Sequence, residues 1–434
     1  MARLFQSLRR VLGLNASSKP ISKFPRSIDT NFSIFQEGDR VVIHGKNPSL
    51  TKPLKRGQKT DVRRGMLEHD NVIGRRVRDV VKSHKGSDHR LSLPSLDEYV
   101  VLTPRLVTPI YAADANLIVS LLDIHVTPPV EGGEEPPLEI LESGTGHGSL
   151  TLHLARAIQA ANSNPPALPA KSQIQHLQSR VKRPAEETED KSEVKETSAE
   201  ANEEDPVQKQ WDAWRSQRKA IIHTVDVSPK YSAHAEKIVR GFRRGIYAGN
   251  VDFYAGHAET WIAEQIAKRQ PQPGLLSLKP SRVDPFLSYA ILDMPSAQLR
   301  IPHVAPVLKR DGTLAVFMPS VTQIGECLDL IRRQKLPFVL EKVVELGSGI
   351  SSGRLWDVRF AVKKARADPS SWTESAGSEE ADGQEHESSE ASTETAVPEE
   401  PAKEEESVLV CRPKVGARVV GGGFVGIWRR IEDS

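Results

Sequence analysis

Cysteine is nearly absent from this chain: Cys327 and Cys411 are the only two in 434 residues. That excludes a disulfide framework and a cysteine-based zinc site, and it makes a reducing compartment the default. Long apolar runs are missing too. No stretch approaches the roughly 18 residues needed to cross a bilayer, so no membrane partner is expected. Aromatic residues make up 5% and hydrophobic residues 38%, which is low for a chain that packs throughout. Charge is balanced overall, with 59 Lys and Arg against 57 Asp and Glu, but the signs separate along the chain.

Residues 1–28 hold Arg3, Arg9, Arg10, Lys19, Lys23 and Arg26, with no acid before Asp29. Leu4, Leu8, Val11 and Leu12 fall on one helical face. The segment 1–32 therefore reads as a mitochondrial transit peptide, with a basic tail that touches RNA as the alternative. Residues 163–210 lose all periodicity after Pro165, Pro166, Pro169 and Pro184, and 366–407 hold acids from Asp368 to Glu406 with almost no bases. Neither composition can bury enough apolar surface to offset its ordering entropy. Both are expected to be disordered insertions, the second an acidic one that repels RNA.

The remainder alternates in pattern. Residues 33–104 read as short strands and turns, an N-terminal β-domain: 39–44 has period two, and 64–76 and 98–102 follow as strands. Residues 112–122 suit a helix. The segments 105–162, 211–365 and 408–434 then read as one domain of alternating strands and helices. Its strands are 220–226, 251–254, 289–293 and 312–318, and its helices are 232–242, 260–268, 299–310 and 321–334. Residues 338–346 and 419–428 are strand-like ends. Such alternation predicts an α/β fold with a parallel sheet covered on both faces. Ligands of such sheets lie beyond the carboxyl ends of the strands.

The most informative strand end is Leu138-Glu-Ile-Leu-Glu-Ser-Gly-Thr-Gly-His-Gly-Ser-Leu150. An apolar run enters Gly144, Gly146 and Gly148, and a helical pattern opens at Ser149. Glycines there permit a tight turn and let a ligand lie on bare main chain, although a turn without a ligand has the same pattern. The spacing is G-x-G-x-G, not the G-x-G-x-x-G that cradles a pyrophosphate. With the acidic Glu142 ahead of it, the loop suits a cationic or zwitterionic ligand, which points away from NAD and toward S-adenosylmethionine. Asp226 ends the next strand once 163–210 is excised, placed to take the hydroxyls of a ribose or else to cap the following helix. Asp293 ends another strand and is followed by Met294-Pro295-Ser296, which suits an active-site loop or a capping turn.

These residues also carry a resemblance. Tyr99-Val-Val-Leu-Thr-Pro-Arg-Leu-Val-Thr-Pro-Ile-Tyr-Ala-Ala-Asp114 and Glu142-Ser-Gly-Thr-Gly-His-Gly-Ser149 resemble the catalytic subunits of tRNA (adenine(58)-N(1))-methyltransferases, of a fungal-like mitochondrial type. Glu68-His-Asp-Asn-Val-Ile-Gly74, Leu292-Asp-Met-Pro-Ser296, Arg412-Pro-Lys and Gly421–Trp428 match as well, so the resemblance spans roughly 35–162, 218–362 and 408–431. It implies a class I, Rossmann-like methyltransferase sheet behind the β-domain, with S-adenosylmethionine as cofactor and the T-loop adenosine of tRNA as acceptor. Gly144, Thr145, Gly146 and Gly148 would line the methionine end, with Glu142, Ser149 and Leu150 beside them and Ile110 closing over it. Asp226 would hold the ribose, His257 and Ala258 would flank the adenine, and Asp293 would be the catalytic carboxylate, also against the cofactor.

The chain departs from the family at Pro109, where Gln is usual, at His257, where an acid is common, and at Ala297-Gln298, where Pro-Trp is common. Gly421-Gly422-Gly423 also stands in place of Gly-His-Thr. The chemistry needs no metal, and none is expected. A homo-oligomer, a tetramer by resemblance, in the mitochondrial matrix is the first reading. A nuclear catalytic subunit with a noncatalytic partner and a non-catalytic RNA-binding paralogue are the others. Arg63, Arg64, Arg75, Arg76, Arg78, Lys82 and Lys85, with Arg240, Arg243 and Arg244, are candidate phosphate contacts or a solvated basic face.

Overall fold

The computed structural model describes residues 28–45, 47–129, 135–177, 205–270, 283–347, 356–362, 407–413 and 422–431. The readings made of 1–27, 178–204 and 366–406 lie outside the described residues. Short period-two segments open the described chain: β1 Val42–Ile43, β2 Ser49–Leu50, β3 Lys59–Val62, β4 Gly65–Glu68, β5 Val80–Lys82 and β6 Asp88–Ser92. They form an antiparallel sheet in the order β2-β1-β6-β5 and a separate β3–β4 pair. Phe35, Val41, Leu54, Leu67, Val72 and Leu91 are buried between them as a small core of their own.

The β-region ends at Ser92, earlier than the expected 104. Residues 98–102, expected as a strand, lie in helix α1 (Leu96–Leu102). Tyr-Val-Val favours a strand, but the local start signal is stronger: Ser95 Oγ accepts from Glu98 N, and the Glu98 carboxylate accepts from Ser95 N. As a helix, the segment turns Tyr99 into the larger core. Its hydroxyl donates to Ile238 O at 2.9 Å, and its ring meets Phe242 edge-on.

That core surrounds an eight-stranded sheet. In chain order the elements are α2 Ala112–Leu122, β7 Leu138–Ser143, α3 Ser149–Ile158, β8 Gln175–His176, α4 Pro206–Arg215, β9 Ala220–Asp226 and α5 Pro229–Gly241. There follow β10 Val251–Ala255, α6 Ala258–Arg269, β11 Leu287–Leu292, α7 Ile301–Val304, β12 Leu308–Met318, α8 Val321–Arg333 and β13 Phe338–Glu345. β14 Trp356–Val362, β15 Ser407–Pro413 and β16 Phe424–Arg430 complete the set. The strand order is β13-β16-β12-β11-β7-β9-β10-β8, with every pairing from β12 to β8 parallel and β16 antiparallel to both its neighbours. Alternation along the strands fills both faces. Ile140, Ile222 and Phe253 pack with α1, α2, α3 and α5, while Leu141, Val225 and Tyr254 pack with α6, α7 and α8.

Two further expectations change. The helix expected over 299–310 is a 3₁₀ turn at Ala297–Arg300 plus the single turn α7, because β12 already begins at Leu308. The expected insertion 163–210 is ordered at both ends. Trp214 Nε1 donates to Ser163 Oγ at 3.0 Å, and the Glu236 carboxylate accepts from Ser172 Oγ at 2.6 Å and Gln173 N at 2.8 Å. Held this way, Gln175 and His176 add β8 to the edge of β10. Tertiary partners supply what the composition of this segment lacks.

The β-region and the large sheet belong to one compact unit, 1–349 with 420–434. Arg244 fixes much of their contact. Its guanidinium pairs with the Asp39 carboxylate at 2.7 Å and donates to Ile34 O and Asp29 O. Asp39 is buried, so Arg244→Ala leaves a buried carboxylate without its cation and should cost roughly 3 kcal/mol in a urea titration. A wild-type midpoint would show that the two regions do not depend on this pair. Residues 350–419 form a second unit, in which β14 pairs antiparallel with β15, Trp356 opposite Pro413. Among the described residues no helix is long and apolar enough to cross a membrane.

Candidate active site

From β7 the sheet runs one way to β9 and β10 and the other way to β11 and β12, so a crevice opens beyond the carboxyl ends of β7 and β11. Backbone bonds join the three strand ends there. Gly144 N donates to Val225 O at 2.9 Å, and Asp293 N donates to Ser143 O at 2.8 Å. Gly144 has φ +97°, and a Cβ on it would lie 1.8 Å from Asp293 O. Only glycine permits β7 and β11 to converge so tightly. Gly148, at φ +82°, begins α3, and its missing side chain lets Ala235 of α5 approach to 3.2 Å of the Cβ position.

A pocket of about 710 Å³ lies over this loop, within the range of small-molecule sites. Its wall includes Gly144, Thr145, Gly146, Ser149 and Leu150 from the glycine motif, Asp226 from the end of β9, and Asp293 after β11. Ile110 joins them through the segment 107–110, whose Ile110 O accepts from Ser149 Oγ at 2.6 Å. Asp226 is partly engaged already. Its Oδ2 accepts from Gly146 N at 2.9 Å and its Oδ1 from Ser228 N at 2.8 Å. It therefore orders both the glycine loop and the start of α5, whose cap is Ser228 rather than Asp226. A carboxylate has about four acceptor positions, so two remain for hydroxyl donors in the pocket.

Among the described residues, two acids and no Lys or Arg line this pocket. Burial, with Asp226 nearby, pushes the Asp293 carboxyl up to about 7. His147, the non-glycine residue before Gly148, is also in the wall. Its Nε2 lies 3.2 Å from Thr103 Oγ1, its Nδ1 has no hydrogen-bond partner, and burial pushes it down to about 4. It is neutral at physiological pH, so the wall offers no fixed cation.

Four candidate residues stand elsewhere. Glu142 is 1% exposed beneath the loop, outside the wall, and burial pushes its carboxyl up to about 7. It is not the fixed anion at the pocket surface that its place in the motif suggests. Gly148 supports the loop from behind. His257 and Ala258 are outside the wall, with His257 largely exposed and 4.0 Å from Glu259; the preceding Gly256 is the lining residue. Sequence reasoning missed Phe317, Met318, Pro319 and Gln323, which close the opposite side. The signal was available, because Met318-Pro319-Ser320 ends a parallel strand just as Asp293-Met294-Pro295 follows one. Among the basic candidates, Arg63, Arg64, Arg75, Arg76, Arg78, Lys82 and Lys85 are exposed. Arg244 is committed to Asp39, Arg240 to Glu236 and Pro169 O, and Arg243 to Pro94 O and the Phe32 ring. These three are structural.

No protein-family model matches the chain. It is 25% identical over 304 residues to the tRNA (adenine(58)-N(1))-methyltransferase TrmI of Thermus thermophilus, covering 70% of this chain and 81% of that protein. It is 26% identical over 126 residues to the tRNA (adenine(58)-N(1))-methyltransferase catalytic subunit TRM61 of Candida albicans, covering 28% of this chain and 34% of the other. Among solved structures, a SAM-dependent O-methyltransferase from Thermotoga maritima superposes with a TM-score of 0.50 at 14% identity, covering 93% of this chain and 96% of that one. A largely parallel sheet with an antiparallel end and a glycine-floored pocket at its topological switch point is thus the class I S-adenosylmethionine-dependent methyltransferase fold.

Proposed function

We propose that this chain transfers a methyl group from S-adenosylmethionine to N1 of adenosine 58 in the T-loop of tRNA. The observation that carries the reading is the meeting of Asp226, Asp293 and the bare glycine loop in one cation-free pocket. Similarity along 304 residues to a tRNA (adenine(58)-N(1))-methyltransferase supports the acceptor. The pocket fits the cofactor: Gly144 lets β7 and β11 converge beneath a bare glycine loop, Asp226 retains acceptors for a ribose, and acids without counter-cations suit a sulfonium.

The cofactor supplies a methyl group already activated by its positive sulfur. The chain must then hold adenine N1 in line with it, and positioning of this kind can supply roughly 7–11 kcal/mol of the barrier. Adenine N1 offers an in-plane lone pair. As it is methylated the ring becomes positive, and the Asp293 carboxylate accepts a hydrogen bond from the exocyclic amino group, stabilises that charge and takes the proton released. A base inside folded tRNA must first be extruded, at a cost on the order of a few kcal/mol.

Because the carboxylate is the working form and Asp293 is pushed up to about 7 in the free site, kcat/KM should rise with pH up to about 7 and level off above it. A flat profile from pH 5.5 to 8 would remove Asp293 from the proton-accepting role. The exposed Arg63 and Arg64 are assigned to tRNA phosphates. Arg63→Glu with Arg64→Glu should weaken tRNA binding and flatten the dependence of log K on log salt by about 0.9 for each phosphate no longer neutralised. An unchanged slope would place the RNA elsewhere.

The deciding experiment incubates the purified chain with S-adenosylmethionine and unmodified tRNA and measures 1-methyladenosine by nucleoside mass spectrometry. Product is expected from this chain alone, acting as a homo-oligomer. Product only with an added subunit overturns self-sufficiency, and none under either condition overturns the reading. The Arg-rich, acid-free 1–28 segment supports mitochondrial tRNA as the substrate pool. A fluorescent reporter fused behind residues 1–35 should enter mitochondria, and a nuclear or cytosolic signal would reject that address.

A further inference from the structure

Glu142 sits at the strand end of the glycine motif but does not reach the pocket, and the mechanism above leaves it without a task. It is buried among hydroxyls. Thr151 Oγ1 of α3 donates to Glu142 Oε2 at 2.7 Å, and Thr224, the register partner of Glu142 on β9, lies beside the carboxyl. Thr224 Oγ1 in turn lies 2.7 Å from Thr145 Oγ1, and Thr145 is part of the pocket wall. A hydroxyl has one proton. If Thr224 donates to an ionised Glu142, Thr145 must donate to Thr224. If Glu142 is protonated, both bonds can reverse. The Thr224–Thr145 hydroxyl pair thus leads from beside the buried acid to the pocket and can pass a proton once Thr224 rotates onto the carboxyl.

The electrostatics give this chain a use. The charged groups that act on Glu142 are Asp293, after β11, and Asp226, at the end of β9, and both are acids. His153 on α3 places Nδ1 2.7 Å from Ser149 O, and its Nε2 faces Asp97 at 3.9 Å. An unpaired buried carboxylate is costly, and an acid in such a place resolves the cost by taking a proton. A cationic ligand above the loop reverses that balance.

Resting on the proposed cofactor, we propose that Glu142 shares a proton in the empty site, gives it up when S-adenosylmethionine enters and regains it once the sulfonium has become a thioether. The proton leaves through Thr224 and Thr145 to solvent in the pocket and returns the same way. No other bond changes. The methyl donor carries one positive charge more than the spent S-adenosylhomocysteine, so an acid that ionises more fully under the donor binds it in preference to the product and aids product release. The pH at which the carboxyl titrates when the site is empty, about 7, lies where such an exchange is readily driven.

Calorimetry of both ligands with the full chain, in buffers of different ionisation enthalpy, tests the proposal. In the wild type, S-adenosylmethionine should release protons at pH 7, and S-adenosylhomocysteine should release fewer. Glu142→Gln should lower the release by about half a proton and should shrink the preference for the donor at pH 8 by roughly five- to tenfold. Asp293→Asn removes its own share and, by taking a like charge from beside Glu142, also lowers the pH at which Glu142 gives up its proton. Difference infrared spectroscopy offers a direct readout: donor binding should erase a protonated-carboxyl band in the wild type that Glu142→Gln lacks. Thr224→Val, which breaks the hydroxyl chain but keeps the acid, should shift the proton release to higher pH and serves if Glu142→Gln does not fold. Unchanged proton release and unchanged preference in Glu142→Gln would overturn the proposal while leaving the enzyme reading intact. A wild-type chain that binds neither ligand would overturn both.

Discussion

Asp293→Ala is expected to lower methyl transfer by on the order of 10²–10⁴-fold, the usual worth of a positioned general base with its charge stabilisation. Its effect on the cofactor should be much smaller. The loop amides, Asp226 and the 107–110 segment all remain, so the dissociation constant for S-adenosylmethionine should change by less than about tenfold. Asp293→Asn separates the two duties of the side chain. The amide can still accept a hydrogen bond from the exocyclic amino group but cannot take its proton, so its rate should lie between those of alanine and wild type and lose the rise with pH. Single-turnover kinetics with bound cofactor make the measurement. Full activity in Asp293→Ala would move the chemistry to another residue of the pocket.

Gly144→Ala should be as damaging by a different route. A methyl group there would meet a backbone oxygen, Asp293 O, at 1.8 Å, where no side-chain rotation can relieve the clash. The residue also sits at φ +97°, a region that L side chains rarely adopt. Strain at such a φ and overpacking each cost about 1–3 kcal/mol, and together they are a large part of an ordinary domain's roughly 5–15 kcal/mol. The strand ends must separate or the domain must loosen, and either displaces the catalytic carboxylate. A lower denaturation midpoint together with abolished S-adenosylmethionine binding is expected. Gly325→Ala is the control, because its Cβ position on α8 is open and alanine favours a helix. Equal behaviour of the two variants would refute the steric argument.

How much of the molecule is legible in the sequence depends on the range of each signal. The glycine motif, Asp226 and Asp293 stand out because a strand end followed by a turn is a local pattern, and the fold's topology carries such ends to one place. Tyr99-Val-Val reads as a strand on propensity, while the decisive Ser95–Glu98 capping pair begins just outside the run. Residues 163–177 look unable to order because their partners, Trp214 and Glu236, are distant in sequence. Glu142 is conspicuous within its motif, but its depth depends on how β7 sits between β9 and β11, and periodicity does not report that. Arg240, Arg243 and Arg244 resemble an RNA-binding cluster. Only the fold shows that Asp39, Glu236 and Pro94 already hold them.

The position of β16 has a consequence for biosynthesis. β12 and β13 follow each other in the chain, yet β16 lies between them in the sheet and pairs with both. The ribosome must therefore translate residues 346–423 after β13 before the strand that joins these neighbours exists. At ordinary elongation rates of roughly 5–20 residues per second, that is a wait of roughly 4–16 s. Until then the β16 side of β12 lacks the partner it has in the finished sheet, and an unpaired strand edge is a template for wrong pairing. A newly made chain should accordingly be held by chaperones until translation has passed Arg430, and ribosome stalling within 346–423 should increase its aggregation.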